Sequence, residues 1–171
     1  MEEKTSTARV ALKYGVVTAV VTMVYSTILN VSGLGQNRLL AALTYAFLIV
    51  AIFLAMKEFR EKNKGYISYG EGLGLGSLLS AVYGFLTSTF TIFYIQFIDS
   101  SSIAQGLDQL REDLEKQGKD DAQIEQVIEM SQKMMSPGIM FMSVVVVTLI
   151  SGFIISLIAA AIMRKEKPVF E

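Results

Sequence analysis

The sequence predicts an all-α protein, an integral membrane four-helix bundle with an extracytoplasmic helical hairpin between its third and fourth spans. Four long apolar runs alternate with shorter polar segments along the chain. Hydrophobic residues make up 52% of the 171 residues and the mean hydropathy is +0.47, both above what is usual for a soluble domain. The basic residues gather at one set of ends of the apolar runs, which indicates how the helices are oriented in the membrane.

Composition limits the chemistry that the chain can perform. It contains no cysteine and no histidine, which excludes disulfides, thiolate nucleophiles and covalently attached haem and removes the usual zinc ligands. The formal net charge is −1, from 15 basic and 16 acidic residues, so the chain is no polycation that would bind nucleic acid. We therefore expect no enzyme, no cofactor, no metal site and no nucleic-acid partner within one membrane domain, residues 1–171.

The first two spans follow from the lengths of their apolar runs. Residues 10–31 hold 22 residues that are apolar apart from Lys13 and small polar side chains. At about 1.5 Å per residue, such a helix crosses a hydrocarbon core of about 30 Å. The run is longer than a signal-peptide core of about 7 to 15 residues, so we expect it to stay attached. The turn-forming SGLGQN at 32–37 leads to the second span at 39–56.

The segment 57–64, KEFREKNK, carries four basic and two acidic residues directly after the second span. Short loops rich in lysine and arginine remain cytoplasmic. We therefore place this loop, both termini and ten of the 15 basic residues on the cytoplasmic side of the membrane. The other six are Lys4, Arg9, Lys13, Arg164, Lys165 and Lys167.

The third and fourth spans are predicted at 69–98 and 137–163. Four aromatic residues crowd the far end of the third span, as in an interfacial belt. Between the two spans, the outer segment 99–136 carries nine acidic and four basic residues. Its apolar residues follow helical spacing on both sides of Gly118, and Asp120 with Gln123 is typical of a helix start. The two apolar stripes could close on each other, lie on the outer leaflet or dock a partner.

Small residues recur every four positions in the third and fourth spans. Helices in lipid gain little from the hydrophobic effect and associate through close van der Waals contact, which small side chains permit. We predict that the two series pack together, with a pore lining or a bending point in transport as the alternative. The series are Gly72, Gly76, Ser80, Gly84 and Ser88 in the third span and Thr148, Gly152, Ser156 and Ala160 in the fourth.

Glu71 is a carboxylate at the start of the third span. A charge within a span suggests an ion path or proton relay, and Lys13, one turn into the first span, is its candidate partner in an intramembrane charge pair. The structural interpretation is that Ser68, followed three residues later by Glu71, forms a capping box at the positive end of the helix. Lys13 would then extend to the headgroups unaided.

Several motifs together resemble the domain of unknown function 4199 family. They are ALKYG at 11–15, ISYGEGLGLG at 67–76, FID at 97–99 and an acidic helical outer segment. The resemblance covers nearly the whole chain, and its most specific part is the serine-aromatic-glycine-glutamate-glycine run. It implies a bacterial inner-membrane protein of the Bacteroidetes type. It implies no activity and assigns no catalytic or binding residue.

The sequence favours a non-enzymatic structural or interaction protein. Its partners would be the lipid bilayer and a second copy or another protein at the outer helical segment. The alternative is a small proton- or ion-coupled transporter that uses Glu71.

Overall fold

The structure is a computed structural model that describes residues 6–35 and 37–166, with the backbone alone at Ser102. The described residues form six α-helices and one isolated antiparallel bridge, with no β-strand among them. Lys4 and Lys167, which we predict on the cytoplasmic side, lie outside the described residues. The helices are α1 (Thr7–Val31), α2 (Arg38–Lys62), α3 (Tyr69–Phe97), α4 (Ser101–Lys116), α5 (Asp121–Met134) and α6 (Pro137–Met163).

Four of these helices, α1, α2, α3 and α6, are long and apolar enough to cross a membrane. This confirms the all-α fold class with four spans. Many of their large apolar side chains point away from the protein interior: Val20, Phe85 and Ile154 are each more than half exposed. Apolar side chains arranged around long helices in this way need a hydrocarbon environment. The chain is therefore a membrane protein.

The helix of the second span is longer than its apolar run. The span is predicted at 39–56, and α2 continues beyond it to Lys62. Phe59 is only 2% exposed and belongs to the core, so its burial favours another helical turn. The pairs Lys57–Glu61 and Glu58–Lys62 lie four residues apart, and such pairs support a helix. Charge alone therefore did not mark the helix end.

The chain divides into two compact units. Unit 1 comprises Met1–Thr87 and Val145–Glu171, and unit 2 comprises Ser88–Val144. The boundaries fall inside α3 and inside α6 rather than in loops. One membrane domain over residues 1–171 therefore stays a prediction.

The core of unit 1 combines a few large side chains with many alanines. Ile52 and Leu75 are completely buried, and so are Ala11 and Ala55. Alanine at buried positions allows helices to approach closely. In α1 and α2, the ring of Tyr25 lies edge-on to that of Phe47 at 5.2 Å between centroids, and the Tyr25 hydroxyl donates to the Leu40 carbonyl at 3.0 Å. The core of unit 1 thus favours close helix contact.

Unit 2 contains the helical hairpin α4–α5. Helix α4 ends at a glycine turn, because Gly118 has φ of +74° and its N–H donates to the Glu115 carbonyl at 2.9 Å. Helix α5 begins with the Asp120 carboxylate, which accepts from the Gln123 N–H at 2.8 Å. The two helices contact each other, and Ile124 and Ile128 are both only 5% exposed. Two apolar residues of α5 are thus buried in unit 2, whereas Val127 and Met134 of the same helix are exposed.

Candidate functional site

The two series of small residues face each other within unit 1. This contact between α3 and α6 is called the ladder interface below, and it has an antiparallel register with one pair per helical turn. The nearest atoms to a side chain added at each of its glycines belong to the opposite helix. The facing pairs are Gly72 with Ala160, Gly76 with Ser156, Ser80 with Gly152 and Gly84 with Thr148.

The helices are so close that the glycines cannot be replaced without movement. A Cβ added at Gly76 would lie 2.8 Å from the Cβ of Ser156, and one at Gly84 would lie 3.1 Å from the Cβ of Thr148. A Cβ added at Gly152 would overlap Ser80. Such separations are shorter than van der Waals contact between carbon atoms. The ladder interface therefore depends on glycine for its helix separation.

The two buried serine hydroxyls of the ladder interface are satisfied within their own helices. The Ser80 hydroxyl donates to the Gly76 carbonyl at 2.9 Å, and the Ser156 hydroxyl donates to the Gly152 carbonyl at 2.5 Å. Both serines are fully buried. A pore lining would present these groups to water, whereas here they are packed between two backbones. The geometry is that of a structural contact. Ser88, the fifth position of the first series, lies in unit 2 and is also fully buried.

Glu71 takes part in the capping box at the start of α3. Its Oε2 accepts from the Ser68 N–H at 2.8 Å and from the Ser68 hydroxyl at 2.9 Å, while the Ser68 Oγ accepts from the Glu71 N–H at 3.2 Å. Each residue thus satisfies a backbone donor of the other, at the end where the helix dipole favours negative charge. Of the two interpretations of Glu71, the hydrogen bonds are those of the capping box.

The structure does not bring Lys13 and Glu71 together and so corrects the predicted charge pair. Lys13 instead donates to Glu58 Oε2 at 2.7 Å, across the contact between α1 and α2. The physical reason is that α2 continues six residues beyond the predicted span, to Lys62, which presents Glu58 to α1. Glu71 is engaged by its own helix start.

Glu58 is the centre of a polar cluster that sequence reasoning missed. Its Oε2 accepts from the Tyr14 hydroxyl at 2.8 Å as well as from Lys13, and its Oε1 accepts from Lys62 at 2.7 Å. The Glu58 side chain is only 16% exposed, whereas those of Lys13 and Lys62 are 57% and 58% exposed. The Glu58 carboxylate is thus largely buried and accepts from three donors on two helices. It joins the end of α2 to the start of α1. The signal in the sequence is that Glu58 and Lys62 lie four residues apart, the spacing at which oppositely charged side chains pair on a helix.

A backbone bridge joins the segment before α3 to the segment after α6. The Ile67 N–H donates to the Lys165 carbonyl at 2.9 Å, and the Lys165 N–H donates to the Ile67 carbonyl at 2.8 Å. Beside it, the Arg60 guanidinium donates to the Met163 carbonyl at 3.5 Å, at the negative end of α6. The bridge holds the chain after α6 against the turn that follows α2.

The buried serine hydroxyls of the ladder interface and the polar groups of the Glu58 cluster are engaged in contacts within the protein. Within residues 6–35 and 37–166, no three histidine, cysteine, aspartate or glutamate side chains are grouped closely enough to hold a metal ion. The ladder interface offers satisfied hydroxyls and the Glu58 cluster offers an ion-paired carboxylate. What these groups can do chemically is hold helices together.

Comparison with known proteins gives a family. A family model described as a protein of unknown function, DUF4199, matches residues 13–165. The chain belongs to this family. No curated protein and no solved structure shows significant similarity to the chain. For this DUF4199 member, the matched range runs from Lys13 to Lys165 and so includes the ladder interface, Glu58 and the backbone bridge.

Proposed function

We propose that the protein is a non-enzymatic interaction protein of the bacterial cytoplasmic membrane, which holds the hairpin α4–α5 outside the cell membrane for a protein partner. The observation that carries this proposal is the surface of α5. Ile124 and Ile128 are buried in unit 2, whereas Val127, Met130 and Met134 on the same helix are 39%, 62% and 59% exposed. These three residues, spaced three and four apart, form an apolar strip, and exposed apolar surface of this kind suits a helix-docking partner.

The charges of the two units support the proposed orientation of the chain in the membrane. The described residues of unit 2 include nine acidic and four basic side chains. Unit 1 instead carries its basic residues close to the ends of α1, α2 and α6. Under the positive-inside rule, the ends rich in lysine and arginine stay in the cytoplasm. Both termini are then cytoplasmic and the hairpin is extracytoplasmic.

Sidedness can be tested with single-cysteine variants, because the chain has no cysteine of its own. Lys119→Cys lies in the hairpin turn, and Glu61→Cys lies in the last turn of α2; both positions are exposed. In spheroplasts, a membrane-impermeant maleimide should label the first variant and should label the second only after the membrane is disrupted. The reverse pattern would overturn the proposed orientation.

The docking strip can be tested by site-specific photo-cross-linking in cells. A cross-linker at Met130 should give one discrete protein adduct, and Met134→Asp in the same chain should remove it. Gln109 in α4 is exposed and polar, so a cross-linker there is the matched control. An adduct of twice the mass of the chain would identify a second copy as the partner. Equal adducts from both positions, or lipid adducts alone, would refute a protein-docking role.

A further inference from the structure

One end of unit 1 has a strong excess of positive charge. Three segments meet there: the Lys13–Glu58 ion pair joins the start of α1 to α2, and the backbone bridge joins the chain after α6 to the turn before α3. Together, residues 6–13, 57–71 and 164–166 hold eight basic and four acidic side chains. The basic ones are Arg9, Lys13, Lys57, Arg60, Lys62, Lys64, Arg164 and Lys165.

Most of the carboxylates at this end are already engaged. Glu58 accepts from Lys13 and Lys62, Glu71 caps α3, and Glu61 lies 4.0 Å from Lys57. Among the described residues, Glu166 is the remaining carboxylate of the three segments. With eight basic and four acidic side chains, the described residues of the three segments carry a formal net charge of +4.

The backbone fixes where this charge lies. Lys64 and Gly65 adopt φ of +56° and +87°, a tight left-handed turn that leads the chain from α2 to the bridge. Through the bridge, Arg164 and Lys165 are held beside this turn. The Lys165 ammonium lies 5.9 Å from the centre of the Tyr66 ring, and Arg164 and Lys165 are both exposed. The result is a surface of basic side chains next to an aromatic ring at the ends of apolar helices.

We infer that this surface binds the phosphate headgroup of an anionic phospholipid, with Arg164 and Lys165 as its principal ligands and Arg60 beside them. Guanidinium and ammonium groups are the side chains that bind phosphate best, arginine with two parallel hydrogen bonds. The surface lies where helices of spanning length end, which is the depth of the headgroups. The inference rests on the membrane placement in the proposed function, but not on the partner of the hairpin.

The experiment uses the purified full-length protein and measures how much phosphatidylglycerol it retains, relative to phosphatidylcholine, by native mass spectrometry from mild detergent. Each basic residue near an anionic surface contributes about fivefold to affinity. Arg164→Gln with Lys165→Gln should therefore lower phosphatidylglycerol retention by roughly 25-fold. Raising the salt concentration should weaken binding to the unmodified protein, because exposed charges are screened.

The matched control is Lys116→Gln with Lys119→Gln, which removes the same charge from unit 2 and should leave retention unchanged. A second variant inserts Gly-Gly-Ser after Met163. It keeps every charge but breaks the pairing of Lys165 with Ile67, so retention should fall less than in the double glutamine variant. Equal retention in the unmodified protein and the double glutamine variant would overturn the inference, and unchanged retention in the insertion variant would overturn the role of the bridge.

Two further measurements separate the possible explanations. Glycerol phosphate added in excess should not displace the lipid; displacement would point to a soluble phosphate compound instead. Circular dichroism should give the same helix content for all variants, since Arg164 and Lys165 are exposed. Maleimide labelling of the Glu61→Cys and Lys119→Cys variants does not depend on lipid binding. Failure of the proposed orientation is therefore distinguishable from failure of this inference.

Discussion

The ladder interface and the hairpin α4–α5 are both contacts between helices, yet they use opposite kinds of side chain. In the ladder interface, glycine, alanine, serine and threonine bring two uncharged backbones together. In the hairpin, branched apolar residues such as Ile124 and Ile128 are buried, and the Arg111 guanidinium lies 3.2 Å from Glu125 at the surface.

In the proposed orientation, the ladder interface lies in lipid and the hairpin lies in water, and these surroundings account for the difference. Helices in hydrocarbon gain nothing by hiding a leucine from lipid, so small residues and close packing hold them together. Helices in water gain free energy by burying large apolar side chains, at about 25 cal/mol per Å² of apolar surface. In that orientation, the ladder interface has the side chains that suit a helix contact in lipid, and the hairpin has those that suit a helix contact in water. Substitutions that exchange these rules give the sharpest tests.

The largest effect is expected from large side chains in the ladder interface. Gly76→Leu or Gly152→Leu should cost about 3 kcal/mol or more, the upper end for overpacking, because both helices must move apart. Folded yield and thermal midpoint in mild detergent measure this loss. Gly74→Leu is the control two residues away in α3, where an added Cβ meets nothing within 4 Å. Equal yields for all three variants would refute the packing role.

In the hairpin, the expected effect has the opposite origin, since a large residue is removed. Ile128→Ala should cost about 2 kcal/mol through lost burial. Amide hydrogen exchange in α5 should then become roughly 30-fold faster, without loss of protection in α1 and α2. Val127→Ala, at a position 39% exposed, should change exchange little. The same acceleration in both variants would show that α5 is not held by its buried stripe.

A smaller effect is expected at the start of α3. Ser68→Ala should lower stability by about 1 kcal/mol, because the helix loses its N-terminal cap. Glu71→Gln should cost less, since glutamine also serves in a capping box. Thermal unfolding of both variants in detergent tests this order. If Glu71→Gln were the more harmful change, the carboxylate charge would matter beyond the cap.

The smallest effect is expected from the exposed ion pair of the hairpin. The Arg111 and Glu125 side chains are 49% and 73% exposed, and such pairs contribute at most about 1 kcal/mol. Arg111→Gln should therefore leave hydrogen exchange in α4 and α5 within a few-fold of that in the unmodified protein. A change as large as that of Ile128→Ala would mean that charge pairing, not apolar burial, holds the hairpin.

The sequence could predict those features that repeat with a helical period or that join residues close together in the chain. Run length gave the four long helices, and a spacing of four marked the residues that form the ladder interface. The capping box needed only Ser68 and Glu71, three residues apart. Each of these signals lies within one helix, where geometry follows directly from residue number.

The features that sequence missed depend on contacts between helices. Lys13 and Glu58 are 45 residues apart, and only the packing of α1 on α2 pairs them. A similar depth in the membrane favours Glu71 as the partner of Lys13, but depth alone does not determine which charged side chain α1 meets. The bridge between Ile67 and Lys165 is made by backbone atoms, so no pattern of side chains could predict it.

The bridge also has a consequence for how this protein can change during evolution. Backbone hydrogen bonds at Ile67 and the four facing pairs fix the register of α3 against α6 entirely within unit 1. Lengthening the segment between those helices then adds only loop-closure entropy, about 0.6 kcal/mol for each doubling of its length. The segment between α3 and α6 can therefore change in length while the packed helices stay as they are.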